Sequence, residues 1–569
     1  MSDLDLGPID AHFADFFAAG SVPGLAYGVV VDDHLVHARG LGRLDLDDDR
    51  SPDADTVFRI ASMTKSFTAA AVLALRDQGR LRLDDAVVEH LPEFERGLSG
   101  PTADSAPVTV RDLLTMGAGL PTDDPWGDRQ QDLGLREFDA LVASGLSRTG
   151  PADGPFEYSN LGFALLGRLI TQVTDRPYDE VVDALVLRPL RLESTGFHDD
   201  RAPADRRAMG YAQHSGEFVA QPLVACGAFA PMGGLVSSVR DLARWMTLFL
   251  SAEPARDDPD PQTVLRRSSL RQMQQPRRFV EAVATAKEVG GPTRLVASSY
   301  AYGLVVDDDA QLGRFVSHSG GYPGFGSHMR WHHGSGIGVV ALANRTYAPM
   351  RTVAAQALEG ALASRPRRTG AAWASTTKAE DVVEQLLGAW DDALADEWFA
   401  MNMDLDQPRQ LRRQEAEQVA AVHGVLRRDP AVPIAHLTPA HSRWWLVGDR
   451  GRVRVDLLMS PEALPRIQAI SLTSVPAPPD DLLAAARSVA AEVLGVLDPA
   501  GASGGGRPDV GPVVGGDGAG RASFAVDGQP LTLEVRRDGG EIQVRVVPVP
   551  QRVDAASWER RPQEAGSGD

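Results

Sequence analysis

Lysine is almost missing from this chain. Among 57 lysine and arginine residues only Lys65, Lys287 and Lys378 are lysine. Arginine holds its proton near neutral pH, whereas a buried lysine can be pushed toward the neutral amine, so a surviving lysine marks a place where proton transfer needs one. Cysteine is limited to Cys226, which excludes an internal disulfide and agrees with a reducing compartment. Its neighbours Val224, Ala225 and Phe229 predict a small buried apolar thiol. No stretch approaches the roughly 18 apolar residues of a membrane helix. The first residues carry no basic segment followed by an apolar run, so neither a signal peptide nor a span is expected, and a cytoplasmic location is. Acidic residues outnumber basic ones, 77 to 57. A net charge of -20 and a pI near 5.1 disfavour nucleic acid or an anionic membrane as partner. His328, His332 and His333 lie in a segment that alternates as a strand, with no cysteine or carboxylate beside them, so no metal site is predicted. The glycines of 500–520 have no strand leading in and no helix leading out, as a phosphate loop requires. No cofactor is expected.

What is present begins at Lys65, three residues after a serine in Phe58-Arg-Ile-Ala-Ser62-Met-Thr-Lys65-Ser-Phe-Thr. Phe67, Ala70, Ala71, Val72, Leu73 and Leu75 follow at helical spacing and predict a helix running through a core. Residues three apart share a helix face, so the Lys65 amine can reach the Ser62 hydroxyl, which makes them a candidate base and nucleophile. A second match, Ser375-Thr-Thr-Lys378, lies in a polar stretch after Pro366 and Gly370, with no buried helix expected to hold it, and reads as an accident. Phe156-Glu-Tyr158-Ser-Asn160 precedes the apolar run 161–170 and sets a phenol and an amide at a loop-to-helix junction. Alone, Asn160 also reads as a helix N-cap. Phe315-Val-Ser-His318-Ser319-Gly320-Gly321-Tyr322-Pro-Gly324-Phe-Gly326 is a strand running into glycines that let a ligand approach the backbone. Alone, it also reads as a tight hairpin with a solvent-facing histidine.

Ser-x-x-Lys near residue 60, Tyr-x-Asn about a hundred residues on and His-Ser-Gly on a late strand together resemble the serine β-lactamase and penicillin-binding-protein superfamily. The nearest likeness is to its class C-like branch of esterases and D-aminopeptidases, over residues 8–362. Segments 22–31, 110–121, 189–197 and 231–242 are similar to that branch as well. The resemblance implies that Ser62 is acylated, that Lys65 and Tyr158 share the proton transfer, and that Asn160 orients Lys65 and the substrate. It further implies an oxyanion hole from the backbone N–H groups of Ser62 and Gly321 and substrate contacts at Ser319 and Gly320. Which of Lys65 and Tyr158 is the base stays open; a nearby ammonium would favour the Tyr158 phenolate. Where class C β-lactamases carry Lys-Thr-Gly this chain has His318-Ser319-Gly320. A histidine cation would hold a substrate carboxylate more loosely, fading above about pH 6.5. The implied activity is therefore hydrolysis of small esters or amides. The alternatives are a D-amino-acid peptidase, a weak β-lactamase or penicillin-binding protein, and a non-enzymatic ligand-binding protein that kept the fold. Trp126 and Tyr322 are expected to rim the cleft from loops.

The first 362 residues predict an α/β (α+β) unit: a mostly antiparallel sheet with strands near 24–31, 34–41, 301–307, 313–318, 326–332 and 337–343, a helical half between, and a closing helix at 350–362. Ser62 should head a helix at the seam of sheet and helices. A linker at 363–378 leads to an α+β accessory domain over 379–499, with Val382, Val383, Leu386, Leu387 and Trp390 on one helical stripe. Its helices followed by a curved sheet resemble the cone-shaped cystatin and nuclear-transport-factor-like folds; His436 and His441 read as strand histidines. It should shape substrate access or mediate homo-oligomerisation. The Gly/Pro-rich stretch 500–522 reads as a flexible linker, 523–550 as a hairpin about Asp538-Gly-Gly540 that must dock, and 551–569 as a disordered tail.

Overall fold

The computed structural model describes residues 4–197, 203–286, 293–362, 372–497, 510–516, 521–526, 529–538 and 541–548. The chain divides into two compact units, Met1–Val283 with Leu295–Arg367 and Ala284–Arg294 with Arg368–Asp569.

The first unit is built on a sheet of eight strands: β1 (Gly24–Val31), β2 (His34–Gly42), β3 (Arg278–Ala286), β4 (Thr293–Tyr300), β5 (Val305–Asp309), β6 (Gly313–Tyr322), β7 (Phe325–His332) and β8 (Ile337–Ala343). Their order is β2-β1-β8-β7-β6-β5-β4-β3. The registered pairs β1–β2, β1–β8, β4–β5, β5–β6, β6–β7 and β7–β8 are antiparallel. β3 and β4 were not among the expected strands. Three apolar side chains of this hairpin, Phe279, Val283 and Leu295, are exposed, so it lacks the apolar-in pattern of a half-buried strand.

Period-two alternation gives the sheet two buried faces. Leu25, Tyr27 and Val29 of β1 face α1 (Gly7–Ala18) and the late helix Met350–Leu362 in one core. Ala26 and Val30 face the larger core on the other side. That core holds α2 (Thr64–Asp77), α3 (Asn160–Thr174) and α4 (Val239–Leu250). Every residue of α2 from Thr64 to Leu75 is buried, as befits a helix enclosed on all sides. The result is the antiparallel sheet flanked by helices that the sequence predicts.

In the second unit, helices at Ala374–Gly388 and Arg409–His423 accompany a five-stranded sheet whose longer strands are His441–Gly448, Gly451–Met459 and Ile467–Pro476. Val382, Val383, Leu386 and Leu387 pack with Trp444, Val453, Val455 and Leu457; Trp390 is only partly buried against them. Ser375 and Lys378 lie in the first of these helices, where no buried helix was expected, yet Lys378 is exposed to solvent. Helix Asp480–Leu497 packs through Leu482 and Ala486 on a four-stranded sheet carrying Phe524, Leu533 and Val535. Two strands of that sheet, Gln529–Asp538 and Glu541–Pro548, pair from Asp538↔Glu541 onward. Within the stretch read as a linker, Val510–Gly516 forms a strand, because backbone hydrogen bonds to Arg521–Val526 need no bulky side chain. Residues 363–371 of the first linker, 500–509 and 517–520 of the second, and the tail 551–569 lie outside the described residues.

Candidate active site

Ser62 sits in a single tight turn, Ala61–Met63, leading into α2. Ala61 takes a left-handed backbone, φ +46°, a strained geometry for a side-chain-bearing residue that recurs at functional sites. On α2 one turn later, Lys65 is completely buried. Its Nζ is 3.0 Å from Ser62 Oγ, 2.7 Å from Asn160 Oδ1 and 2.8 Å from the Met232 carbonyl oxygen. Burial drives the Lys65 pKa down from 10.5 to about 8, and Asp124, Asp128 and Asp123 oppose that fall. Two of the three contacts, the amide oxygen and the carbonyl, can only accept. The serine hydroxyl can also donate, so the neutral amine fits the site with two N–H donors and one lone pair directed at Ser62.

Asn160 opens α3, but the N-cap is its neighbour Ser159, whose Oγ accepts from the Gly162 N–H at 3.1 Å. This frees the Asn160 side chain for the site. Its Nδ2 donates to Asp124 Oδ1 at 2.8 Å, which leaves Oδ1 for Lys65. The Asp123 carboxylate accepts from the backbone N–H groups of Asn160 (2.6 Å) and Leu161 (2.8 Å), occupying the anion-attracting end of the helix.

Tyr158 stands over the same point. Lys65 Nζ lies 4.9 Å from the centre of its ring, and burial, reinforced by Tyr300 and Asp124, holds its phenol well above its ordinary pKa. The Lys65 ammonium does not make this residue a phenolate; burial outweighs it. Tyr300, absent from the sequence reading, meets Tyr158 edge-on with ring centroids 6.4 Å apart and lies 3.2 Å from His318 Nε2 through its hydroxyl.

His318 faces the site but is not the expected cation. It is 3% exposed, its Nδ1 lies 2.6 Å from the Ser319 carbonyl, and burial followed by the charge of Lys65 lowers its pKa to about 3. It is neutral throughout the physiological range. Ser319 points elsewhere. Adjacent strand residues face opposite ways, and Ser319 Oγ is 2.8 Å from Nδ1 of buried His328. Gly320 is required by space, since a Cβ there would stand 2.1 Å from the Ile60 carbonyl, two residues before Ser62. At Gly321 a Cβ would stand 2.6 Å from the Tyr347 ring.

The two rim aromatics separate. Trp126, on the short helix Asp124–Gly127, is 43% exposed, two residues from the Asp124 that binds Asn160. Tyr322 is not in a loop: it ends β6, is 2% exposed and stacks under the Arg59 guanidinium at 4.4 Å. His332 is 2.8 Å from the Leu312 carbonyl and His333 is 2.6 Å from Gln274, both in structural contacts. Cys226 is partly rather than fully buried, with Sγ 3.4 Å from the Gly234 carbonyl. The sequence reading missed Asp123, Asp124, Asp128, Tyr300 and Tyr347. Only the Asp123-Asp124-Pro-Trp126 run carried a local signal, a charged pair at a helix start.

The β-lactamase family profile matches residues 9–363 of the chain. The chain belongs to the β-lactamase family. The matched region contains Ser62, Lys65, Tyr158, Asn160 and His318. Protein flp of Staphylococcus aureus is 29% identical over 343 residues, 59% of this chain and 62% of that protein. β-Lactamase-like protein 2 of Dictyostelium discoideum is 32% identical over 233 residues, 40% of this chain and 42% of its own. The chain thus spans less than two thirds of the length of these relatives. In fold it is similar to the octameric penicillin-binding protein homologue from Pyrococcus abyssi, with a TM-score of 0.53, 19% identity, and 95% of this chain and 98% of that chain covered. Among the described residues, no helix of this β-lactamase-family chain is long and apolar enough to cross a membrane.

Proposed function

We propose that this chain is a serine hydrolase of the class C-like branch, forming an acyl-enzyme at Ser62 and hydrolysing small carboxylic esters or amides. The observation that carries this is the bonding of Lys65: two obligate acceptors and one hydroxyl around an amine whose pKa has fallen to about 8. Neutral Lys65 takes the Ser62 proton as Oγ attacks the substrate carbonyl, and splitting the reaction through an ester of Ser62 lowers each barrier. The N–H groups of Ser62 and Gly321 receive the oxyanion. Tyr158, kept protonated, gives its proton to the departing alkoxide or amine and recovers one from Lys65. Asn160 holds Lys65 in place. Water then attacks the acyl-enzyme with Lys65 again as base.

Neutral His318 offers no charge to a substrate carboxylate, which favours uncharged esters over β-lactams. The acidic group of Asp123, Asp124 and Asp128 favours a second reading, a D-amino-acid peptidase whose substrate ammonium faces these carboxylates. We further propose a cytoplasmic homo-oligomer, in keeping with the octameric Pyrococcus abyssi neighbour, in which residues 379–499 act as an accessory domain. The test is a panel of p-nitrophenyl esters, a chromogenic cephalosporin and D-alanyl peptides, run on wild type and Ser62→Ala. Esters should turn over, the cephalosporin should lag, and Ser62→Ala should lose the activity; survival at the wild-type level would refute the proposal.

A further inference from the structure

Tyr347 lies between β8 and the late helix Met350–Leu362 in a left-handed backbone, φ +49°. A bulky residue keeps that geometry only where its surroundings hold it. Three contacts do so. Its N–H donates to the Phe325 carbonyl at 3.1 Å, its ring lies against Gly321, and its hydroxyl donates to Asp128 Oδ2 at 2.6 Å. Asp128 is buried and follows directly on the helix Asp124–Gly127. In that helix a Cβ at Gly127 would stand 2.8 Å from the Asn160 Cβ. One side chain therefore starts at the glycine end of β6 and finishes on the loop that supports Asn160.

Ser62 lies between the same two walls. On one side Gly320 abuts Ile60, and on the other Lys65 binds Asn160. Tyr347 is 52% exposed and Ser62 only 9%, so the tyrosine lies nearer to solvent than the nucleophile does. We propose that the Tyr347–Asp128 hydrogen bond is a crossbar over Ser62 that limits the size of the acyl group, so that short, unbranched acyl donors are the substrate class. This rests on the acyl-enzyme reading above. With the oxyanion directed at the Gly321 N–H, the acyl chain must run beside the ring packed on Gly321. A short chain clears it; a long one has to break a charge-assisted hydrogen bond to do so. Burial raises the Asp128 pKa to about 6, so above that pH its carboxylate accepts from the protonated phenol and the bar is closed.

The experiment compares kcat/KM for p-nitrophenyl octanoate and acetate in wild type, Tyr347→Phe and Tyr347→Ala. The ratio is taken on one preparation, so any loss of folded enzyme cancels. Wild type should favour acetate. The octanoate-to-acetate ratio should rise at least about tenfold in Tyr347→Ala, the scale at which a pocket discriminates methylenes, and by a smaller factor in Tyr347→Phe, which keeps the ring and loses only the bond. A wild type that prefers octanoate, ratios within about twofold of wild type in both variants, or a rise in Tyr347→Ala alone would overturn the crossbar. Ser62→Ala run in parallel separates the two ideas: residual turnover there condemns the nucleophile, whereas an unchanged ratio with Ser62 essential condemns only the crossbar.

Discussion

Lys65 Nζ lies 2.7 Å from Asn160 Oδ1, across 95 residues of chain, and both side chains are completely buried. The amide cannot turn over, because its Nδ2 is committed to Asp124, a carboxylate that only accepts. Asn160 therefore presents an acceptor to Lys65 at all times. Together with the Met232 carbonyl it uses two protons of the amine and leaves the third position for exchange with Ser62.

Lys65→Arg keeps the charge and the reach but cannot accept a proton. It should lower kcat/KM for ester substrates by about 10²–10⁴-fold, the usual contribution of a positioned base. Steady-state kinetics beside circular dichroism of the variant checks this; near-normal turnover would reduce Lys65 to an electrostatic guide.

The pH profile follows from the same residue. Since the neutral amine is the active form, kcat/KM should rise with pH through about 8 and level off. No limb should appear near the ordinary histidine value, because buried His318 is already neutral there. Stability carries the same signature. Folded Lys65 releases its proton near 8 and the unfolded chain near 10.5, so between those values the unfolded state binds more protons and this group's contribution to stability grows with pH. Urea midpoints of wild type and Lys65→Met across that interval measure the difference.

Asp124 is the largest of the charges holding the Lys65 pKa up. Asp124→Asn keeps an acceptor for Asn160 Nδ2 and removes the charge. The rising limb of kcat/KM should then move to lower pH, an outcome that loss of packing alone would not produce. A pH–rate series on the variant reads it directly.

Gly320→Ala would drive a Cβ to 2.1 Å from the Ile60 carbonyl. Overpacking of this kind costs about 1–3 kcal/mol. The strain falls on the turn carrying Ser62, so activity should drop further than the melting temperature alone would imply.

Four members of the candidate site were legible because short chain segments carry them. Ser62 and Lys65 share one helical turn, and Tyr158 and Asn160 frame one loop-to-helix junction. Protonation was not legible. His318 reads as a titrating cation until its 3% exposure is known, and Tyr158 reads as a phenolate until burial is set against the neighbouring ammonium. Tyr300, Asp128 and Tyr347 act through contacts made only by the fold, Tyr347 reaching Asp128 across 219 residues. The fold followed the same rule. Strands buried on both faces, such as β1 and β8, announce themselves by apolar runs, whereas β3 and β4, with Phe279, Val283 and Leu295 in solvent, do not.

The most direct test is the rate at which a fluorophosphonate labels the enzyme as a function of pH, with the modified residue located by peptide mass spectrometry. The label should fall on Ser62 alone, its rate rising through about pH 8 in wild type and becoming flat and at least about a hundredfold slower in Lys65→Arg. Labelling elsewhere, or a Lys65→Arg protein that reacts at the wild-type rate, would contradict Ser62 as a nucleophile activated by Lys65.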